Sequence, residues 1–220
     1  MIMPALLAFV LMGASALAAP DPTGTPADPD VRHLFYLHGR IIEEQGLRPE
    51  HPEFGVYEYE DILAQLRARG LQVHAEARPS GADVAEYADK TVGEIRALLA
   101  AGVPAERITV MGFSKGGAIA VMTAARLGEP RVNFVFLACC FQGILQNEEL
   151  SVTGKILSIY EESDVIGRSC GPLFSRSNAG PAHREIMIET GLKHGAFYRV
   201  QPEWFEPAVA WALEAGAPPR

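Results

Sequence analysis

The chain reads as a single α/β domain, a sheet of about six mainly parallel strands with helices on both faces and no large lid. Three observations predict this. Short apolar runs recur from residue 31 onward, most of them continuous rather than alternating, as strands covered on both faces require. Stretches with apolar residues spaced by three and four lie between these runs, and strand–helix alternation implies parallel pairing through right-handed crossovers. The 220 residues show no internal repeat and no second linker, so residues 31–216 are expected to form one domain.

Six strands are expected: Val31–Leu37, Leu71–Ala77, Ile108–Met111, Val132–Ala138, Lys155–Tyr160 and Glu185–Glu189. The first helix, Val56–Arg69, carries Tyr59, Ile62, Leu63 and Leu66 on one face and stops at Gly70. A second, Val84–Ala101, has Asp83 as its N-cap and ends before Gly102. Lys115–Leu127 is small and apolar, which suits close packing on the sheet, and Trp204–Ala215 closes the chain.

Composition narrows the function. Hydrophobic content of 48% excludes a disordered chain, and a net charge of −8 argues against a nucleic-acid partner. The N-terminus ends an uncharged apolar run with Ala16-Leu17-Ala18, a small-x-small pattern. It reads as a signal peptide over residues 1–18, followed by a flexible leader over 19–30. Export to the periplasm or the exterior is therefore expected, with no membrane span after cleavage. Three cysteines are too few for a disulfide framework, but in an exported chain Cys170 can bridge Cys139 or Cys140.

In such a sheet, ligand sites lie at the carboxyl ends of the strands. After the third strand stands Gly112-Phe113-Ser114-Lys115-Gly116-Gly117, a Gly-x-Ser-x-Gly between strand and helix. A serine on so sharp a turn is strained, and side chains at Gly112 and Gly116 would clash. The turn lifts the Ser114 hydroxyl above the sheet and aims the Lys115 backbone N–H at a reacting oxygen. After the first strand, Leu37-His38-Gly39-Arg40 can bring a second donor, the Arg40 backbone N–H, with Gly39 allowing close approach and His38 shaping the loop. The chain then continues Arg-Ile-Ile-Glu-Glu rather than with further glycines. After the fifth strand, Glu161-Glu162-Ser163-Asp164 offers a carboxylate, Asp164 by preference and Glu161 as fallback. After the sixth, Lys193-His194-Gly195 offers an imidazole base. The order Ser114, Asp164, His194 is that of a nucleophile, acid and histidine in α/β-hydrolases.

On these motifs the sequence resembles the α/β-hydrolase superfamily, and within it the small lidless carboxylesterases and acyl-protein thioesterases, whose GFS-x-GGA elbow is close to GFSKGGA at 112–118. The resemblance implies cleavage of esters or thioesters through a serine acyl-enzyme, with no cofactor. Only Cys139 to Thr153 separates the fourth and fifth strands, which leaves no room for a large lid, and an open pocket favours short or soluble acyl groups. A peptidase, an acyltransferase or a non-catalytic binding protein would use the same fold. Phe113, Phe141, Phe197 and Trp204 are candidate pocket linings, and the Arg40 guanidinium a candidate contact for an anionic substrate.

Overall fold

The computed structural model describes residues 30–177 and 183–214. The expected signal peptide, nearly all of the leader and the end of the domain at 215–216 lie outside the described residues. Six strands form one all-parallel sheet: β1 (Arg32–Leu37), β4 (Leu71–His74), β5 (Ile108–Phe113), β6 (Asn133–Leu137), β7 (Lys155–Glu161) and β8 (His183–Ile188). Their spatial order is β4-β1-β5-β6-β7-β8. A two-stranded hairpin, β2 (Glu50–His51) with β3 (Gly55–Val56), stands apart from the sheet.

Side chains alternate across each strand, so the four inner strands β1, β5, β6 and β7 feed two cores. Leu34, Tyr36, Val135 and Leu137 join one apolar cluster, closed by α2 (Tyr59–Ala68) and α7 (Pro202–Glu214). Phe35, Phe134 and Phe136 join the other, closed by α3 (Val84–Ala100) and α4 (Lys115–Leu127). β5 and β6 are buried along their whole length, which is why they read as continuous apolar runs. Asp83 caps α3 through Oδ1, accepting from the Ala85 and Glu86 N–H groups at 2.8 and 3.0 Å.

The structure corrects several boundaries. The helix expected at Val56 begins at Tyr59, because Gly55, at φ +76°, turns the chain into the hairpin and Val56 pairs with Glu50. β4 ends at His74 rather than Ala77, because the following segment turns inward to Arg78. β8 begins at His183, earlier than its apolar pattern suggests. Three short helices have too few residues for visible periodicity: α1 (Arg40–Gln45), α5 (Gln142–Leu145) and α6 (Gly171–Arg176). Between β6 and β7 the chain holds only α5, so no large lid forms there.

Candidate active site

The loops after β1, β5, β7 and β8 meet at one end of the sheet. Ser114 sits between β5 and α4 at φ 54°, ψ −120°, a left-handed conformation that costs a non-glycine residue about 1–3 kcal/mol. The turn exists because its neighbours lack side chains. A Cβ on Gly116 would stand 1.9 Å from the Leu37 carbonyl oxygen, and one on Gly112 would stand 2.3 Å from that of Gly116. The Ser114 hydroxyl is 2.9 Å from His194 Nε2, and His194 Nδ1 is 2.7 Å from Asp164 Oδ2. His194 lies in a 3-10 turn, Lys193–Phe197, with its ring 4.9 Å from that of Phe113. Asp164 is buried, and its Oδ1 accepts the Ile166 N–H at 2.8 Å. Nδ1–H therefore donates to Asp164, and Nε2 is left to accept the hydroxyl proton.

Glu161, the fallback acid, does other work. Its carboxylate accepts from the N–H groups of Thr190, Gly191 and Ser163 at 3.0, 2.8 and 2.7 Å, and from the Ser163 hydroxyl at 2.6 Å. It ties the Asp164 loop to the His194 loop. Burial pushes its acidity down in strength, but these donors outweigh burial and hold its pKa below the ordinary value.

The Arg40 and Lys115 N–H groups open α1 and α4. Neither is taken up by a hydrogen bond among the described residues, as the first N–H groups of a helix require an outside acceptor. The Arg40 guanidinium lies exposed on the rim, 3.3 Å from Glu44 one turn along. Gly39, Arg40, Ser114, Lys115 and His194 share a cleft of about 610 Å³. His38 lies beneath, buried and neutral. Its Nδ1–H donates to the Gly39 carbonyl at 2.8 Å while Nε2 accepts the Arg78 N–H at 2.9 Å. Burial, with the nearby Arg78 charge, pulls its pKa down to about 4.

Of the aromatic lining residues expected, Phe113 and Phe141 border the cleft. Phe197 and Trp204 do not; both are fully buried in the core beneath. The cleft wall that sequence reasoning missed is His51, Phe54 and Tyr198. His51 and Phe54 stack with centroids 4.3 Å apart, and Phe54 lies in the turn of the β2–β3 hairpin. A two-residue strand has no periodicity to find; the aromatic run from His51 to Tyr59 was the available signal.

Cys170 bridges Cys140, with Cα atoms 5.3 Å apart, while Cys139 stays a buried thiol. The bridge fastens the far end of the Asp164 loop to the end of β6. Ser169 and Cys170 also donate to Glu185, at 2.5 and 2.7 Å.

Residues 71–175 match the model of the phospholipase/carboxylesterase family. No curated protein matches the chain. Among solved structures, SOBER1 of Arabidopsis thaliana is similar, with 13% identity and a TM-score of 0.56 over 84% of this chain and 98% of that one. The Putative Dienelactone Hydrolase of Klebsiella pneumoniae subsp. pneumoniae is similar at 12% identity and a TM-score of 0.57, over 86% and 90%. The fold is that of the α/β-hydrolases, and the family match supports a hydrolase of that kind.

Proposed function

We propose that the protein is a serine hydrolase that cleaves carboxylic esters or thioesters of short or soluble acyl groups. One observation carries the reading: the unbroken line from the Ser114 hydroxyl through the His194 imidazole to the buried Asp164 carboxylate. His194 Nε2 takes the Ser114 proton as the oxygen attacks the carbonyl, and Asp164 stabilises the imidazolium that forms. The oxyanion develops between the Arg40 and Lys115 N–H groups, one such donor being worth about 3 kcal/mol. His194 returns the proton to the leaving group. Water, activated by the same imidazole, then releases the acid.

Among the described residues no lid covers the cleft, an arrangement that lets water reach an acyl-enzyme and supports the hydrolase reading. Its walls of Phe54, Phe113, Phe141 and Tyr198 suit an apolar acyl group. Export belongs to the same reading. It rests on the apolar run at residues 1–18 and on the Cys140–Cys170 bridge, which an oxidising compartment would preserve. No helix among the described residues is long and apolar enough to cross a membrane.

Hydrolysis of p-nitrophenyl acetate and butyrate by the wild type and Ser114→Ala tests the proposal. Loss of at least about a thousandfold in kcat is expected. Equal rates for the two proteins would remove Ser114 as nucleophile.

A further inference from the structure

We infer that Glu43 is a positioning residue that sets the spacing of the two oxyanion donors, by accepting from Lys115 at the elbow and from Arg78 under the His38 loop. The inference rests on the serine-hydrolase reading above. The two donors belong to different helices, since Arg40 opens α1 and Lys115 opens α4. A six-residue helix such as α1 has little stability of its own, so tertiary contacts must fix where its first N–H points. Glu43 lies within the first turn of α1, three residues after Arg40. Its Oε2 accepts from Lys115 Nζ at 2.6 Å and its Oε1 from Arg78 Nε at 2.9 Å. One carboxylate thus joins the helix of the first donor to the side chain of the residue that supplies the second.

Arg78 extends the tie. Its Nη2 donates to the His38 carbonyl, and its backbone N–H donates to His38 Nε2 at 2.9 Å. His38 Nδ1–H in turn holds the Gly39 carbonyl. The peptide leading into Arg40 is therefore gripped from below by side chains of Arg78 and His38. The side chains of Glu43 and Arg78 are 0% and 1% exposed. Burying such a pair is costly, and well-packed apolar residues commonly give equal or greater stability, so stability is a weak reason for the pair to be here. Two cations face the one carboxylate, and His38 accepts a hydrogen bond at Nε2 as a neutral ring does. The cluster therefore keeps a net positive charge beside the donors, where the substrate oxygen becomes negative.

The test compares Glu43→Gln, Lys115→Met and their combination in the full chain. Readouts are ester kcat and KM, inhibition by phenylboronic acid as a tetrahedral mimic, and Tm. Each single variant should lower kcat about 10- to 100-fold with KM within about twofold, below the roughly 100- to 1,000-fold cost of losing a donor outright. Boronate inhibition should weaken by the same factor as kcat. The double variant should lose no more than the worse single one, because both break the same tie. Lys115→Met leaves the Glu43–Arg78 pair in place, so it decides the matter even if Glu43→Gln does not fold. Wild-type kcat and boronate inhibition in folded Lys115→Met would overturn the inference, as would a kcat loss that merely follows the folded fraction. Ser114→Ala separates the two levels. If it is inactive while Lys115→Met is fully active, only the positioning role falls; if it is fully active, the hydrolase reading falls as well.

Discussion

At the scale of single residues, two acids three positions apart have opposite roles. Asp164 faces His194, whereas Glu161 turns into five hydrogen-bond donors of its own neighbourhood. Asp164→Asn is expected to lower ester kcat by about 10⁴, because the amide cannot stabilise the imidazolium and favours the wrong tautomer. Glu161→Gln removes a charge that accepts from backbone N–H groups and should lower Tm, with a much smaller loss of kcat per folded molecule. Steady-state kinetics together with thermal unfolding of both variants checks the division, and a larger kcat loss in Glu161→Gln would reverse it. Sequence placed both carboxylates at the end of the fifth strand, with Asp164 preferred and Glu161 as fallback. The hydrogen-bond partners that decide the matter include Thr190 and Gly191 in the loop after β8, far along the chain.

At the scale of elements, the site depends on how loops are tethered rather than on the loops themselves. Gly167 packs so tightly that a Cβ would lie 2.0 Å from the Ala138 carbonyl, which seats the Asp164 loop on the end of β6. The Cys140–Cys170 bridge holds the same loop and spans 30 residues of chain. Closing a loop of that length stabilises by about 3–4 kcal/mol in the chain-entropy account. Cys170→Ser, or reductant added to the wild type, should therefore lower Tm by several degrees, read by thermal unfolding. An unchanged Tm would mean that the Glu185 and β6 contacts alone hold the loop. Long elements were legible from their periodicity: Lys115–Leu127 is a helix over the expected residues. The β2–β3 hairpin and α1 were not legible, because two to six residues leave no period to detect, yet they carry the cleft wall and the backbone N–H of Arg40, the proposed second oxyanion donor.

At the scale of the whole molecule, burial acts on histidines outside the Ser114–His194–Asp164 line, among them His33, His74 and His38. Burial lowers the pKa of His33, and burial with the neighbouring His33 lowers that of His74. His38 is shifted most, to about 4. Between its ordinary value of about 6.5 and about 4, the unfolded chain binds a proton at His38 that the folded chain refuses. Stability is thus full above pH 6.5, falls as pH drops through that window, and levels for this group below about 4. The loss from His38 alone is about 3 kcal/mol. Thermal unfolding from pH 7.5 to 4 should show it, and a pH-independent Tm over that range would contradict it.

Sequence by itself determined the order of the six sheet strands and four long helices, the serine turn and the order Ser114, Asp164, His194, because these follow from local periodicity, glycine placement and residue chemistry. Only the tertiary structure decided which cysteine pairs with Cys170, which aromatic residues border the cleft, and that Glu43, Arg78, His38 and Lys115 form one buried cluster. The bridge joins residues 30 positions apart, and the contacts of the cluster join residues 35 to 72 apart. Their partners are chosen by packing across strand ends, and no pattern within a short window of chain encodes it.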